Sequence, residues 1–176
     1  MIIMINGAFG VGKTTIANEL SKELENSMIY DPEEIGFLLR TIIPKGIKQV
    51  EAPTGDFQDL DLWKELTVTT AALLINKYNV NLIVPMTIRK QEYFNYILDG
   101  FKRIDKQTYH FCLTANKETI YERLRKRGEE EGNWCFHQTE KCIKAFNENK
   151  FGEYINTENV KIADVIDNIK AKIILD

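Results

Sequence analysis

Gly7-Ala8-Phe9-Gly10-Val11-Gly12-Lys13-Thr14 stands between a short apolar run, Ile2 to Asn6, and a segment in which Ile16, Leu20 and Leu24 recur at four-residue spacing. That order reads as strand, glycine turn and amphipathic helix, and the eight residues fit the Walker A pattern in the context the pattern requires. Glycines let backbone N–H groups approach an anion without a side-chain clash. The helix amino terminus adds unpaired N–H groups and the positive end of its dipole. Gly7, Gly10, Val11, Gly12, Lys13, Thr14 and Thr15 are therefore the expected nucleotide-binding residues. Lys13 should reach the outer phosphates of ATP, and the Thr14 hydroxyl should be a ligand of Mg2+.

Downstream, Ser27 to Tyr30 reads as a second strand, and Asp31-Pro32-Glu33-Glu34 opens a helix with a capping acid, proline at the first position and acids in the first turn. A helix from Leu62 to Tyr78, a strand from Asn81 ending at Pro85-Met86-Thr87, and a helix from Gln91 to Lys102 follow. Then come a strand over Thr108 to Thr114, helices over Glu118 to Arg127 and His137 to Asn149, a strand at Tyr154 to Asn156 and a last helix carrying Ile162, Val165, Ile166, Ile169 and Ile173. This alternation predicts an α/β fold of the P-loop NTPase class: a nucleotide-kinase-like parallel sheet of about five strands, helices on both faces, ligands at the carboxyl ends of the strands. One domain, 1–176, fits the length. Residues 41–61 hold Pro44, Gly46, Pro53 and Gly55 with little periodicity and read as a mobile acceptor segment, and 115–136 as a lid.

Composition narrows the partners. The net charge of −3, from 26 acidic and 23 basic residues, carries no long basic run and gives no reason to expect nucleic acid. The opening apolar run falls far short of the roughly 20 residues a membrane span requires. Cys112, Cys135 and Cys142 are spaced neither as a disulfide framework nor as a zinc site, which fits a reducing cytoplasm. His110 and His137 have no ligand-forming neighbours, so neither is assigned to metal. No pattern points to a particular oligomeric state.

The strand ending Val84-Pro85-Met86-Thr87 lacks the acid expected there, so another carboxylate must serve the magnesium or the attacking hydroxyl. Asp31, ending the second strand, is the candidate for both roles; its plain alternative is a helix cap. Arg123 and Arg127 lie four apart on one helical face and are candidates to close over the transferred phosphate, against the plain reading of a solvated face. Arg40, Phe57, Trp63 and Thr87 are candidates for the acceptor pocket.

The strings Met1 to Thr14, Tyr30-Asp31-Pro32-Glu33-Glu34-Ile35-Gly36-Phe37 and Leu82-Ile83-Val84-Pro85-Met86-Thr87-Ile88 together resemble the bacterial tunicamycin-resistance ATP-binding proteins. The likeness continues through Lys117-Glu118-Thr119-Ile120 and Arg123-Leu124-Arg125 to Asp164-Val165, nearly the whole chain. More distantly the arrangement is similar to chloramphenicol phosphotransferase, gluconate kinase and shikimate kinase, in which an acid after the second strand serves the acceptor hydroxyl. The resemblance implies cytoplasmic ATP binding and protection against tunicamycin, a nucleoside antibiotic carrying sugars and a fatty acyl chain. Two departures matter. The family can carry a further basic carboxyl-terminal stretch suited to a membrane surface, whereas this sequence stops at Asp176, so stable membrane association is not expected. The segment from Lys45 to Gly55 is longer than its counterpart, which implies an altered acceptor pocket. Three functions stay open: a phosphotransferase acting on tunicamycin or a related nucleoside or sugar, an ATP-gated drug-sequestering protein, and a metabolite kinase for a sugar or nucleoside.

Overall fold

The computed structural model describes residues 1–174; the terminus at Asp176, on which the membrane expectation rests, lies outside them. Strand β1 (Ile2–Gly7) is buried along its whole length at the centre of a five-stranded sheet ordered β2-β3-β1-β4-β5. The other strands are β2 (Ser27–Ile29), β3 (Asn81–Met86), β4 (Thr108–Thr114) and β5 (Glu153–Asn156), and every pairing is parallel. A central parallel strand covered on both faces has no solvent side, which is why β1 and β3 are near-continuous apolar runs rather than alternating ones.

The helices are α1 (Lys13–Glu23), α2 (Pro32–Ile42), α3 (Lys45–Glu51), α4 (Asp61–Tyr78), α5 (Gln91–Ile104), α6 (Lys117–Lys126), α7 (Trp134–Glu148) and α8 (Ile162–Ile174). The crossover from β1 through α1 to β2 runs one way along the sheet, and that from β3 through α5 to β4 runs the other. Right-handed crossovers therefore put α1 and α5 on opposite faces. Helix α8 packs on α1 and α4 packs on α5, so both faces are covered. Among the described residues no helix is long and apolar enough to cross a membrane.

Residues 41–61 depart from the irregular segment expected. Helix α2 runs on to Ile42, Pro44 stands at the amino-terminal cap of α3, and a single 3₁₀ turn at Phe57–Asp59 leads into α4. Helix α3 escaped periodicity because it has only 7 residues and buries none of them, leaving Ile47 and Val50 exposed. Helix α7 likewise begins at Trp134, three residues before the expected start, where the Asn133 side chain accepts from the backbone N–H groups of Cys135 and Phe136.

His110, on β4, shows how dry the core is. Its ring meets Phe94 at 4.5 Å, and a Cβ on Gly152 would stand only 2.0 Å from Nδ1. Neither ring nitrogen has a hydrogen-bond partner. Burial pushes its pKa from 6.5 down to about 3, with the Lys102 charge acting in the same direction. A depressed folded-state value means the unfolded chain takes up a proton that the fold refuses, so stability is lost as pH falls below the unfolded value. Denaturant titrations should show His110 contributing a loss of stability as pH falls from 6.5 toward about 3, and His110→Phe should remove that share of the slope.

Candidate active site

The buried centre of β1 delivers the chain into a loop that must present N–H groups to an anion, and the conformation of that loop depends on its glycines. Gly12 caps α1 with φ 112° and ψ 10°, a left-handed geometry that side chains rarely adopt. A Cβ on Gly7 would lie 2.7 Å from Val11 Cγ1 and 2.9 Å from the Leu113 carbonyl, so any side chain there would prise the loop away from β4.

Side chains from three directions hold the loop. The wholly buried Asn6 accepts from Gly7 N at 2.8 Å and Ile88 N at 2.9 Å, and donates to the Ile88 carbonyl at 3.0 Å, bolting β1 to the end of β3. The Thr139 hydroxyl, on α7, donates to the Phe9 carbonyl at 3.3 Å. Arg123 donates from Nη1 to the Val11 carbonyl at 2.9 Å and to Thr157 Oγ1 at 3.0 Å, and from Nη2 to the Thr157 carbonyl at 2.8 Å. Lys13 lies half-buried across its own loop, donating to the Ala8 carbonyl at 2.9 Å, and burial holds its ammonium below the ordinary lysine pKa. An arriving phosphate would restore a full opposing charge to that ammonium.

Three adjoining cavities surround the loop. The middle one is lined by Lys13, Thr14, Asp31, Glu33, Pro85 and Arg127 among others. On one side a cavity of about 320 Å³ lies against Gly10, Gly12, Thr15, Arg123, Arg127 and Val160. On the other a cavity of about 320 Å³ is walled by Phe9, Phe37, Phe57 and Trp134, with Glu33, Arg40, Asp56 and Arg89 supplying charge. Gly10, Gly12 and Arg127 belong to the first pair; Phe9 and Glu33 belong to the second. The three cavities thus run continuously across the loop, from the Arg123 side to the aromatic side.

The expected site residues divide accordingly. Gly7, Gly10, Val11, Gly12, Lys13, Thr14 and Thr15 form the loop and the start of α1, with Thr14 and Thr15 exposed. Asp31 caps α2, accepting from Glu33 N at 2.9 Å, and also lines the phosphate cavity, so cap and site wall are one residue. Arg127 reaches the phosphate cavity; Arg123 does not, since its guanidinium is held beneath the loop by Val11 and Thr157. Arg40, Phe57 and Thr87 line the aromatic cavity. Trp63 departs from expectation: it is 1% exposed, lies in the core between Phe57 and Tyr93, and its indole N–H donates to the Pro32 carbonyl at 3.0 Å. It supports the wall through Phe57 without facing the cavity.

Glu33 was not singled out by the sequence beyond its place among first-turn acids, yet it is the carboxylate shared by the Lys13 cavity and the aromatic cavity. Burial raises its pKa, and the neighbouring Asp31 charge raises it further. Trp134, Gln138 and Cys142 were also missed, although their four-residue spacing on α7 marks one helical face. A magnesium ion suits the donors available, because Thr14 and Asp31 offer hard oxygens in one cavity. Among the described residues no group of three His, Cys, Asp or Glu could hold a metal by itself, so phosphate oxygens and water would complete the shell.

Residues 3–156 match the AAA domain family. The structure superposes on the tunicamycin resistance protein of Deinococcus radiodurans with a TM-score of 0.78 and 30% identity, covering 98% of this chain and 94% of that one. A sugar kinase from a Janibacter species gives 0.68 at 16% identity, covering 97% of this chain and 92% of the other. Shikimate kinase from Bacteroides thetaiotaomicron gives 0.64 at 13%, covering 98% and 97%. The last two share the fold. No curated protein matches at the level of sequence.

The two arginines should separate cleanly on substitution. Arg123→Ala removes three hydrogen bonds to the loop and Thr157 and should lower stability by about 2–3 kcal/mol in denaturant melts. Arg127→Ala, at a cavity rim, should change stability by less than about 0.5 kcal/mol while weakening nucleotide binding.

Proposed function

The chain belongs to the AAA domain family and to the family of the Deinococcus radiodurans tunicamycin resistance protein, and from that membership we propose that it is an ATP-dependent phosphotransferase acting on a small-molecule hydroxyl. The observation that carries this reading is the shared wall: Glu33 faces both the cavity with Lys13 and the aromatic cavity beside it. A hydroxyl bound among Phe37, Phe57 and Trp134 would present its oxygen where the phosphate cavity opens. That oxygen attacks the terminal phosphorus of ATP, the bond from phosphorus to the bridging oxygen breaks, and ADP leaves with the electron pair. The hydroxyl proton passes to Glu33, whose raised pKa suits it to hold a proton. Lys13 balances charge on the outer phosphates, Arg127 covers them, and loop N–H groups fix their position. Bound magnesium, held by Thr14 and Asp31, would neutralise phosphate charge.

The acceptor we assign is tunicamycin or a related nucleoside or sugar. The name of the Deinococcus relative supports it, and so does a cavity whose aromatic rings suit flat or hydroxylated rings while its carboxylates and arginines suit hydroxyls. Three free cysteines and the use of ATP support a cytoplasmic location. One observation favours the sequestering alternative: Pro85 lines the phosphate cavity where a metal-holding acid is expected.

Mass spectrometry of tunicamycin incubated with protein, magnesium and ATP distinguishes these. The kinase reading expects a gain of one phosphoryl group that disappears with Lys13→Ala; tightly bound but unmodified drug would establish sequestration instead. Glu33→Gln should lower turnover by roughly a hundredfold or more with ATP affinity retained. The same variant has a stability signature. A carboxyl whose folded pKa is raised contributes stability that is complete below the unfolded value and lost as pH rises through the folded one. Glu33→Gln should therefore melt higher than the parent at neutral pH while being less active.

A further inference from the structure

Beyond the acceptor cavity, past Arg40 and Phe57, lies a cavity of about 440 Å³ formed by the α2–α3–3₁₀ segment. Arg40, Lys45 and Lys48 line it, and among the described residues no carboxylate does. Its floor is apolar, built by Phe57 and the buried Leu60. None of the three cations belongs to an ion pair among the described residues: Arg40 donates to the Gly55 carbonyl at 2.8 Å, and Lys48 to the Arg40 carbonyl at 2.7 Å. Arg40 also lies 4.9 Å from the Phe57 ring centre, which fixes its guanidinium on the partition between the two cavities. Three cations without a salt-bridge partner among the described residues around one concavity, only Arg40 of them near enough for its charge to act on Glu33, are not an average surface in a protein of net charge −3. Their mutual repulsion falls when an anion occupies the space between them, and a group with two negative charges answers them best.

We propose that this cavity is a second anion-binding subsite, built for a phosphate group. Arg40 and Phe57 are common to this cavity and the acceptor cavity, so one ligand can span both. Resting on the phosphotransferase reading, the subsite narrows the acceptor from tunicamycin itself to a related nucleoside or sugar that carries a phosphate ester: its free hydroxyl faces Glu33 and its phosphate lies among Arg40, Lys45 and Lys48. The helix that escaped the sequence reading, α3, thereby gains a reason to leave its lysines unpaired.

Inorganic pyrophosphate, titrated calorimetrically into the whole protein without divalent metal, tests the subsite. Two classes of site are expected. Lys13→Ala should weaken one, and Lys45→Gln with Lys48→Gln should weaken the other by roughly tenfold or more, with the effects independent. Lys45→Glu alone, on an exposed side chain with no hydrogen bond among the described residues, should reproduce the second loss without disturbing α3. A single class of site weakened only by Lys13→Ala, or a second class indifferent to both lysine changes, overturns the subsite. The two readings fail separately. A lysine-dependent second site in a protein that transfers no phosphoryl group would overturn the phosphotransferase and keep the subsite. Phosphoryl transfer with no lysine-dependent pyrophosphate site would do the reverse.

Discussion

The loop from Gly7 to Lys13 has to be held in one conformation by contacts made from outside it, and much of the surrounding structure answers to that requirement. A loop of this kind does not hold itself, because its glycines are the most conformationally free residues available. Here Asn6, Thr139, Arg123 and Thr157 take up its carbonyls and one of its N–H groups from three sides. Those four side chains come from β1, α7, α6 and the turn after β5, so sheet order and loop geometry are coupled. A lesion in any of the four elements is felt at the phosphate site.

The electrostatics of the site are arranged around burial. Lys13 is lowered and Glu33 raised for the same reason, removal from water, and each lessens the penalty on the other. The thiols of Cys112 and Cys142 stand near enough for the Lys13 charge to act on them, yet burial pushes them up to about 12 and about 11. They remain protonated and serve as packing rather than nucleophiles. The acids at the end of β2 divide by position: Asp31 faces the loop cavity alone, and Glu33 faces both that cavity and the aromatic one.

Much of this was legible in the residues. The Walker pattern, with an apolar strand before it and Ile16 and Leu20 after it, gave both the fold class and the nucleotide site, because glycine placement and helix periodicity are local properties. Asp31 was legible twice over, as a cap and as an acid at a strand end. Trp63 was misread because an aromatic residue near a loop looks the same whether it faces a cavity or the core. Arg123 and Arg127, four apart in sequence, were indistinguishable until the Arg123 guanidinium was found held by Val11 and Thr157 and Arg127 found lining the Lys13 cavity. Helix α3 was too short and too exposed to leave a periodic trace.

The sequence by itself determined the elements and the chemistry of the loop, since both depend on residues within a few positions of one another. Tertiary structure alone decided which side chains converge on the loop from a distance: Thr139 and Thr157 lie 130 and 146 residues from the carbonyls they touch. It also decided that Glu33 rather than Asp31 borders the aromatic cavity, and that Arg40, Lys45 and Lys48 enclose one space. The physical reason is that hydrogen-bond partners, burial and cavity walls are set by the packing of elements brought together by the sheet. No local pattern records that packing.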